Sequence, residues 1–197
     1  MAGRVSLRRA ARFAYTSFFA GGPCMVSITA LLHTRNDALR LGRALETLYA
    51  CDDIFIVDHG SRDATVRIAR EYGARVVDAK PGAVPGDHLR LLADPRSAPR
   101  RSTGPGWVLC LDPRESLTEK LAASLFEWKL EALDAHAPAV PAFSVFLREE
   151  TAQGWMEHPV AQTRLVPQTW NLWNGALPVN EPTAVPLEGE LLRFVFP

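Results

Sequence analysis

The amino-acid sequence predicts an α/β fold: a mostly parallel sheet flanked by helices, followed by a short α+β part. Three observations carry the prediction. From Met25 onward, short runs rich in β-branched and apolar residues alternate with amphipathic helical stretches, which is the pattern of βαβ crossovers. The apolar runs are nearly continuous, as in strands covered on both faces. After Pro138 the texture changes to short strands between loops rich in Trp, Asn and Pro.

Each element follows from its residues. MVSITALL reads as the first strand, and NDALRLGRALETLYA as a helix with Leu41, Ala44, Leu45 and Leu48 on one face behind an Asn36 or Asp37 cap. DIFIVD is a second buried strand. SRDATVRIAREYG is a second helix, with Ile68, Ala69 and Tyr72 facing inward and Gly73 as its stop, and ARVVDA is a third strand. Residues 80–106 read as a long loop around one helical turn at DHLRLLAD, because prolines and glycines crowd the segment. WVLCLD resumes the sheet, and SLTEKLAASLFEWKLEALDAH is the longest helix, with Leu121, Leu125 and Trp128 inward. AFSVFLREE, QTRLVP and LLRFVF are the later strands.

Composition narrows the function classes. The chain has 197 residues, is 47% hydrophobic, and carries 22 basic and 22 acidic side chains, which fits one globular domain with a real core and excludes disorder throughout. Zero net charge gives no electrostatic footprint for nucleic acid. Cys24, Cys51 and Cys110 form no CxxC pair, which points to a reducing compartment. Residues 1–24 hold Arg4, Arg8, Arg9 and Arg12 before an apolar patch broken by Tyr15, Thr16 and Ser17, far short of the roughly 20 apolar residues of a membrane span. They read as an extension or a mis-assigned start, with an amphipathic membrane-surface helix as the alternative. Residues 25–197 read as a single domain. No Walker loop, GxSxG elbow or HExxH is present.

In parallel sheets ligands gather at the carboxyl ends of the strands. Three polar groups fall there: His33, Thr34, Arg35 and Asn36; Asp58, His59, Gly60, Ser61 and Asp63; and Asp112, Arg114 and Glu115. A carboxylate just past a buried strand is held rigidly enough to discriminate base or ribose donors, although DHGS is also good turn and cap chemistry. His59 has no metal-ligand spacing to another histidine and reads as an exposed turn residue, with contact to the nucleotide's base as its other reading.

In order and spacing, VSITALLHTRND, IFIVDHGSRDATVRIAREYGARVV, GWVLCLDPRESL, QTRLVP and LPVNEP resemble the family 2 glycosyltransferases of the GT-A fold, Rossmann-like in its first half, and in particular the lipopolysaccharide-core glucosyltransferase branch. The resemblance spans about residues 26–190. It implies a nucleotide-sugar half, 25–135, with Thr34, Arg35, Asn36 and Asp58 around base and ribose, and an acceptor half, 136–197. It implies transfer of a sugar from a nucleotide-diphosphate donor to a cell-envelope glycan or lipid-linked acceptor, with inversion, in the cytoplasm or at the inner face of the membrane with peripheral contact. The alternative is a non-catalytic descendant that binds nucleotide or a partner.

The family pattern Asp-x-Asp, whose second acid holds Mn²⁺ or Mg²⁺ at the donor's phosphates, reads Asp112-Pro113-Arg114 here. Asp112 remains as a candidate metal ligand and catalytic-site acid, but a hard cation needs several oxygen ligands. A guanidinium pairs with phosphate in a bidentate fork, so Arg114 is a candidate for the ion's place, or else it only decorates the next helix. Arg96, Arg100 and Arg101 offer further phosphate contacts. In LPVNEP the family's His-Glu pair has become Asn180 and Glu181, and Glu181 is the candidate base. Arg164 matches the family's arginine in an Arg-Leu pair, with a structural salt bridge as its other reading. Trp155, Trp170 and Trp173 read more as partial core than as a glycan platform.

Overall fold

The computed structural model describes residues 26–93, 106–132 and 140–196. The N-terminal extension and Arg96, Arg100 and Arg101 lie outside the described residues. In chain order the elements are β1 (Ser27–Thr34), α1 (Ala38–Glu46), a 3-10 turn (Leu48–Ala50), β2 (Asp53–Asp58), α2 (Thr65–Glu71), β3 (Arg75–Asp78), α3 (Pro85–Ala93), β4 (Gly106–Leu111), β5 (Glu115–Leu117), α4 (Glu119–Glu131), β6 (Phe143–Thr151), β7 (Gly154–Glu157), β8 (Gln162–Pro167), β9 (Trp173–Asn174), β10 (Leu177–Pro178) and β11 (Val185–Arg193).

The predicted α/β architecture is present. One nine-stranded sheet runs in the order β3-β2-β1-β4-β8-β6-β11-β5, with β7 paired to β6. Its first four strands are parallel, with registers such as Leu32↔Ile56 and Leu32↔Leu111. β8 then joins antiparallel to β4 and β6, and β11 runs parallel to β6 and antiparallel to β5. The sheet therefore passes unbroken through both halves of the chain. Residues 140–196 contribute strands alone among the described residues, so the helix that covers them is α4.

The two faces of β1 explain its continuous apolar run. Ile28, Ala30 and Leu32 pack with Leu41 and Leu45 of α1, Ala69 of α2 and Leu121 and Leu125 of α4. Leu31 turns the other way, toward Phe55, Val57, Cys110 and Leu89 and Leu92 of α3. The helical turn expected at DHLRLLAD is thus a nine-residue helix that covers a sheet face. Its apolar spacing wins over the Pro85-Gly86 start, because proline and glycine in a first turn sacrifice no intrahelical bond. Tyr72, expected inward, is exposed, and its hydroxyl donates to Glu46 at 2.9 Å.

At the far edge, Gly189 (φ 94°) lets β11 cross the start of α4: a Cβ there would lie 2.3 Å from the Leu121 nitrogen. Thr118, the α4 N-cap, accepts from the amides of Leu121 and Glu190 and donates to the Glu190 carbonyl. This knot ties β11 to the helix.

Candidate functional site

The order β3-β2-β1-β4 reverses direction between β1 and β4. In open α/β sheets the crevice outside the carboxyl ends of the strands at such a switch point is the ligand site. Thr34 ends β1, Asp58 ends β2 and Asp112 follows β4. β8 is antiparallel to β4, so its first residues reach the same edge. Asn180 and Glu181 are fastened there: the Thr163 amide donates to Asn180 Oδ1 (2.9 Å), and the Glu181 amide to Thr163 Oγ1 (2.8 Å). The fold therefore gathers Thr34, Arg35, Asn36, Asp58, Asp112, Arg114 and Glu181 at one edge.

Asp58 organises this edge from beneath. It is 3% exposed, and its carboxylate accepts from Thr34 Oγ1 (3.0 Å), Ser61 Oγ and the amides of Gly60 (3.1 Å) and Ser61 (2.8 Å). Burial pushes its pKa up, but the bonds from Ser61, Thr34 and Gly60 outweigh burial and hold it below the usual range. Four donors use the four lone-pair directions of a carboxylate. Asn36, at φ 59°, stitches the two turns together: its amide donates to Ser61 Oγ (2.9 Å), and its Oδ1 accepts from the Arg62 amide (2.8 Å). The Ala38 amide donates to Asp63 (3.1 Å). Thr34 is buried, whereas Arg35 is exposed.

The Asp112-Pro113-Arg114-Glu115 turn is equally committed. Arg114 Nε and Nη2 donate to the two Asp112 oxygens at 2.8 and 2.9 Å, a bidentate fork, and the Arg114 amide donates to Oδ1 (2.9 Å). Burial raises the Asp112 pKa, but the Arg114 bonds and charge, with help from Arg193, bring it below its ordinary value. Glu115 is fully buried and accepts from Arg164 Nη2 (2.9 Å) and Arg193 Nη2 (2.7 Å), and through its other oxygen from the Asp112 amide (2.9 Å). Arg164, 1% exposed, also donates to Gln162 Oε1 and the Cys110 carbonyl. Its contacts are those of the structural salt bridge, with the guanidinium buried among them.

A divalent ion does not fit this donor set. Asp112 is forked to an arginine, Glu115 lies between two more, and no group of three His, Cys, Asp or Glu side chains among the described residues is placed to hold a metal.

The amino-acid sequence is similar to glycosyltransferases. It is 38% identical over 55 residues to the 4,4'-diaponeurosporenoate glycosyltransferase of Staphylococcus aureus, covering 26% of this chain and 15% of that protein. It is 32% identical over 98 residues to an uncharacterized glycosyltransferase of Rickettsia felis, covering 49% and 32%. A TPR repeat-containing protein of Synechococcus elongatus is 32% identical over 139 residues, covering 68% and 30%. The chain thus spans less than a third of the length of these relatives. It matches no family model. Among solved structures, S. aureus TarS 1-349 superposes at a TM-score of 0.40 with 17% identity, over 64% of this chain and 35% of that one. Mycobacterium tuberculosis glucosyl-3-phosphoglycerate synthase with Mn²⁺, UDP and glucosyl-3-phosphoglycerate superposes at 0.38 with 19% identity, over 62% and 43%.

Glu181 and the tryptophans complete the edge. Glu181 accepts from the Thr183 amide (3.1 Å) and hydroxyl (2.6 Å), and these bonds lower its pKa. Trp170 and Trp173 pack against the sheet face that α3 covers. Trp155 is exposed and meets the Phe194 ring edge-on at 5.3 Å. His33, placed at this edge by the sequence but given no role there, meets His88 of α3, which reasoning from sequence missed. No described helix is long and apolar enough to cross a membrane.

Proposed function

We propose that this chain is a family 2 glycosyltransferase of the GT-A type, akin to the lipopolysaccharide-core glucosyltransferase branch. In this reading it moves a sugar from a nucleoside-diphosphate donor to a cell-envelope glycan or lipid-linked acceptor, with inversion, on the cytoplasmic side of the membrane. The observation that carries the reading is the switch point between β1 and β4, where the saturated Asp58 turn and the Arg114–Asp112 fork stand at the same carboxyl edge of the sheet. Similarity to glycosyltransferases over as much as 49% of the chain supports it.

The donor's base and ribose sit against the turns of Thr34, Arg35 and Asn36, which Asp58 holds in place. The diphosphate meets Arg114. In the transfer, the acceptor oxygen attacks the anomeric carbon, the bond to the diphosphate oxygen breaks, and the departing diphosphate carries away the electron pair. A fixed guanidinium stabilises that developing charge as an ion would, and the Asp112 fork aims it beforehand. Glu181 receives the proton from the acceptor hydroxyl. Its bonds to Thr183 orient it but weaken it as a base, since a catalytic base works best with a pKa near the operating pH.

That same weakness favours a second reading, a non-catalytic descendant that keeps the nucleotide site. A thermal-shift panel separates both readings from neither, and a turnover assay with nucleotide sugars separates the two from each other. Uridine, guanosine or thymidine diphosphate at a hundredfold excess over Kd adds about 2.7 kcal/mol of stability under both readings. Only the enzyme hydrolyses or transfers the sugar of the matching nucleotide sugar. No shift from any diphosphate at millimolar concentration rules out both.

A further inference from the structure

Three imidazoles meet where α3 closes over the carboxyl edge of the sheet. His33 comes from β1, His59 follows β2 and His88 comes from α3. The His33 and His59 rings lie 5.2 Å apart with His33 Nδ1 and His59 Nε2 at 2.9 Å, and the His88 ring stands edge-on to His33 at 5.5 Å. Trp173 joins them, for its Nε1 would lie 3.5 Å from a Cβ on Gly86, in the first turn of α3.

This corner holds an unusual concentration of unmatched polarity. Among the described residues, six buried side-chain polar atoms have no partner, and four of them are here: His33 Nε2, both ring nitrogens of His88, and Trp173 Nε1. His88 is 4% exposed. Buried polar atoms without partners bear the full loss of their hydration, so such a cluster signals a bonding partner that arrives from outside.

The chemistry of the cluster selects the partner. Burial, then the charges of His59 and His88, push the His33 pKa down to about 4, and burial and His59 also lower that of His88, against Asp87. The His33 and His88 rings are therefore neutral near pH 7, each with one N–H and one lone pair. The contact between His33 and His59 holds a single proton, so it has two arrangements. One leaves a lone pair on His33 Nε2; the other leaves an N–H there. A phosphate offers acceptors alone, so it can take the N–H of each ring but leaves the ring lone pairs unmet. An uncharged planar edge that alternates carbonyl and ring N–H groups fits either arrangement. Asp58, the expected reader of such an edge, is already saturated by four donors.

We propose that His33, His59 and His88 form the base-reading subsite of this chain, hydrogen-bonding the imide edge of a uracil-type nucleobase in place of a carboxylate. The inference rests on the nucleotide reading above. The test is side-chain ¹⁵N–¹H correlation spectroscopy of the full chain, labelled at histidine, with UDP, uridine or inorganic pyrophosphate added at millimolar concentration. UDP and uridine should each move the ring nitrogens of His33, His59 and His88 and fix one tautomer of the His33–His59 pair, whereas pyrophosphate should leave them in place. In calorimetry, His88→Phe and His33→Phe should each weaken UDP at least tenfold and leave pyrophosphate unaffected. If UDP binds and the histidine signals stay where they were, the base is read elsewhere and this inference alone falls. If UDP does not bind at all, the nucleotide reading falls and takes the inference with it. The spectra use the native chain, so a variant that fails to fold does not spare the proposal.

Discussion

Asp112 and Glu115 are three residues apart and meet opposite fates. Glu115 is fully buried between Arg164 and Arg193, while the Arg114–Asp112 fork is about a third exposed, with side chains at 37% and 26%. Removing one partner of a buried pair strands a charge and costs about 3 to 5 kcal/mol, whereas an exposed pair is worth about 1 kcal/mol or less. Glu115→Ala should therefore lower the urea midpoint sharply, and Arg114→Ala should scarcely move it. Equal losses in the two variants would place Arg114 in the fold and not at the ligand. His33 carries a pH prediction. Its folded pKa, about 4, lies below the ordinary 6.5, so the unfolded chain takes up the proton first. Stability is complete above about pH 6.5 and falls as pH drops toward 4. Asp58 and Asp112 are also depressed, from 3.8, so their contribution is lost only below that range. Urea midpoints at pH 7.5, 6, 5 and 4 should fall through this window in the native chain and less in His33→Gln. A flat profile to pH 5 would contradict the packing of the three rings. The turn chemistry of Asp58 and Ser61 was legible from residue order, since these side chains bond within their own turn, whereas Thr34 and Asn36 bond across to it from the turn after β1. The burial of Arg164 was not, because a salt bridge spanning 49 residues leaves no local pattern. Nor was the His33–His59–His88 meeting, which only the crossovers create.

At the scale of elements, β2 and β8 match their sequence reading to the residue, because continuous apolar runs with clear breaks define their own ends. β5, β9 and β10 are two or three residues long and owe their existence to the strands beside them, so no local pattern announces them. β11 begins at Val185, earlier than LLRFVF suggested, since Pro186 and Gly189 interrupt its pattern and the register with β6 shifts between Pro186 and Glu190. Gly189 makes this testable. Gly189→Ala sets a Cβ 2.3 Å from the Leu121 amide at φ 94° and should cost about 2 to 3 kcal/mol, from overpacking added to backbone strain. Gly73→Ala has a similar φ of 76° but open space around it, and should cost about 1 kcal/mol. Chemical denaturation of the two variants side by side checks the contrast. If Gly189→Ala is the milder change, β11 does not cross α4 as closely as described.

For the whole molecule, the central claim is that one sheet edge binds a nucleoside diphosphate, with a fixed guanidinium where a divalent ion would otherwise sit. The reversal between β1 and β4 places the edge, the Asp58 turn shapes it, and the Arg114–Asp112 fork supplies its cation. Restoring the acid by Arg114→Asp should make binding depend on metal, since two carboxylates and phosphate oxygens give a hard cation enough ligands. The most direct measurement is calorimetric titration of UDP into the native chain and into Arg114→Ala, each in EDTA and in Mn²⁺, with uridine as the phosphate-free control. The native chain should bind UDP equally in both buffers, and Arg114→Ala should lose about 1.5 to 3 kcal/mol of UDP affinity, the worth of a charge-assisted pair, with uridine unchanged. Native binding that vanishes in EDTA, or UDP affinity identical in the two proteins, would contradict the claim.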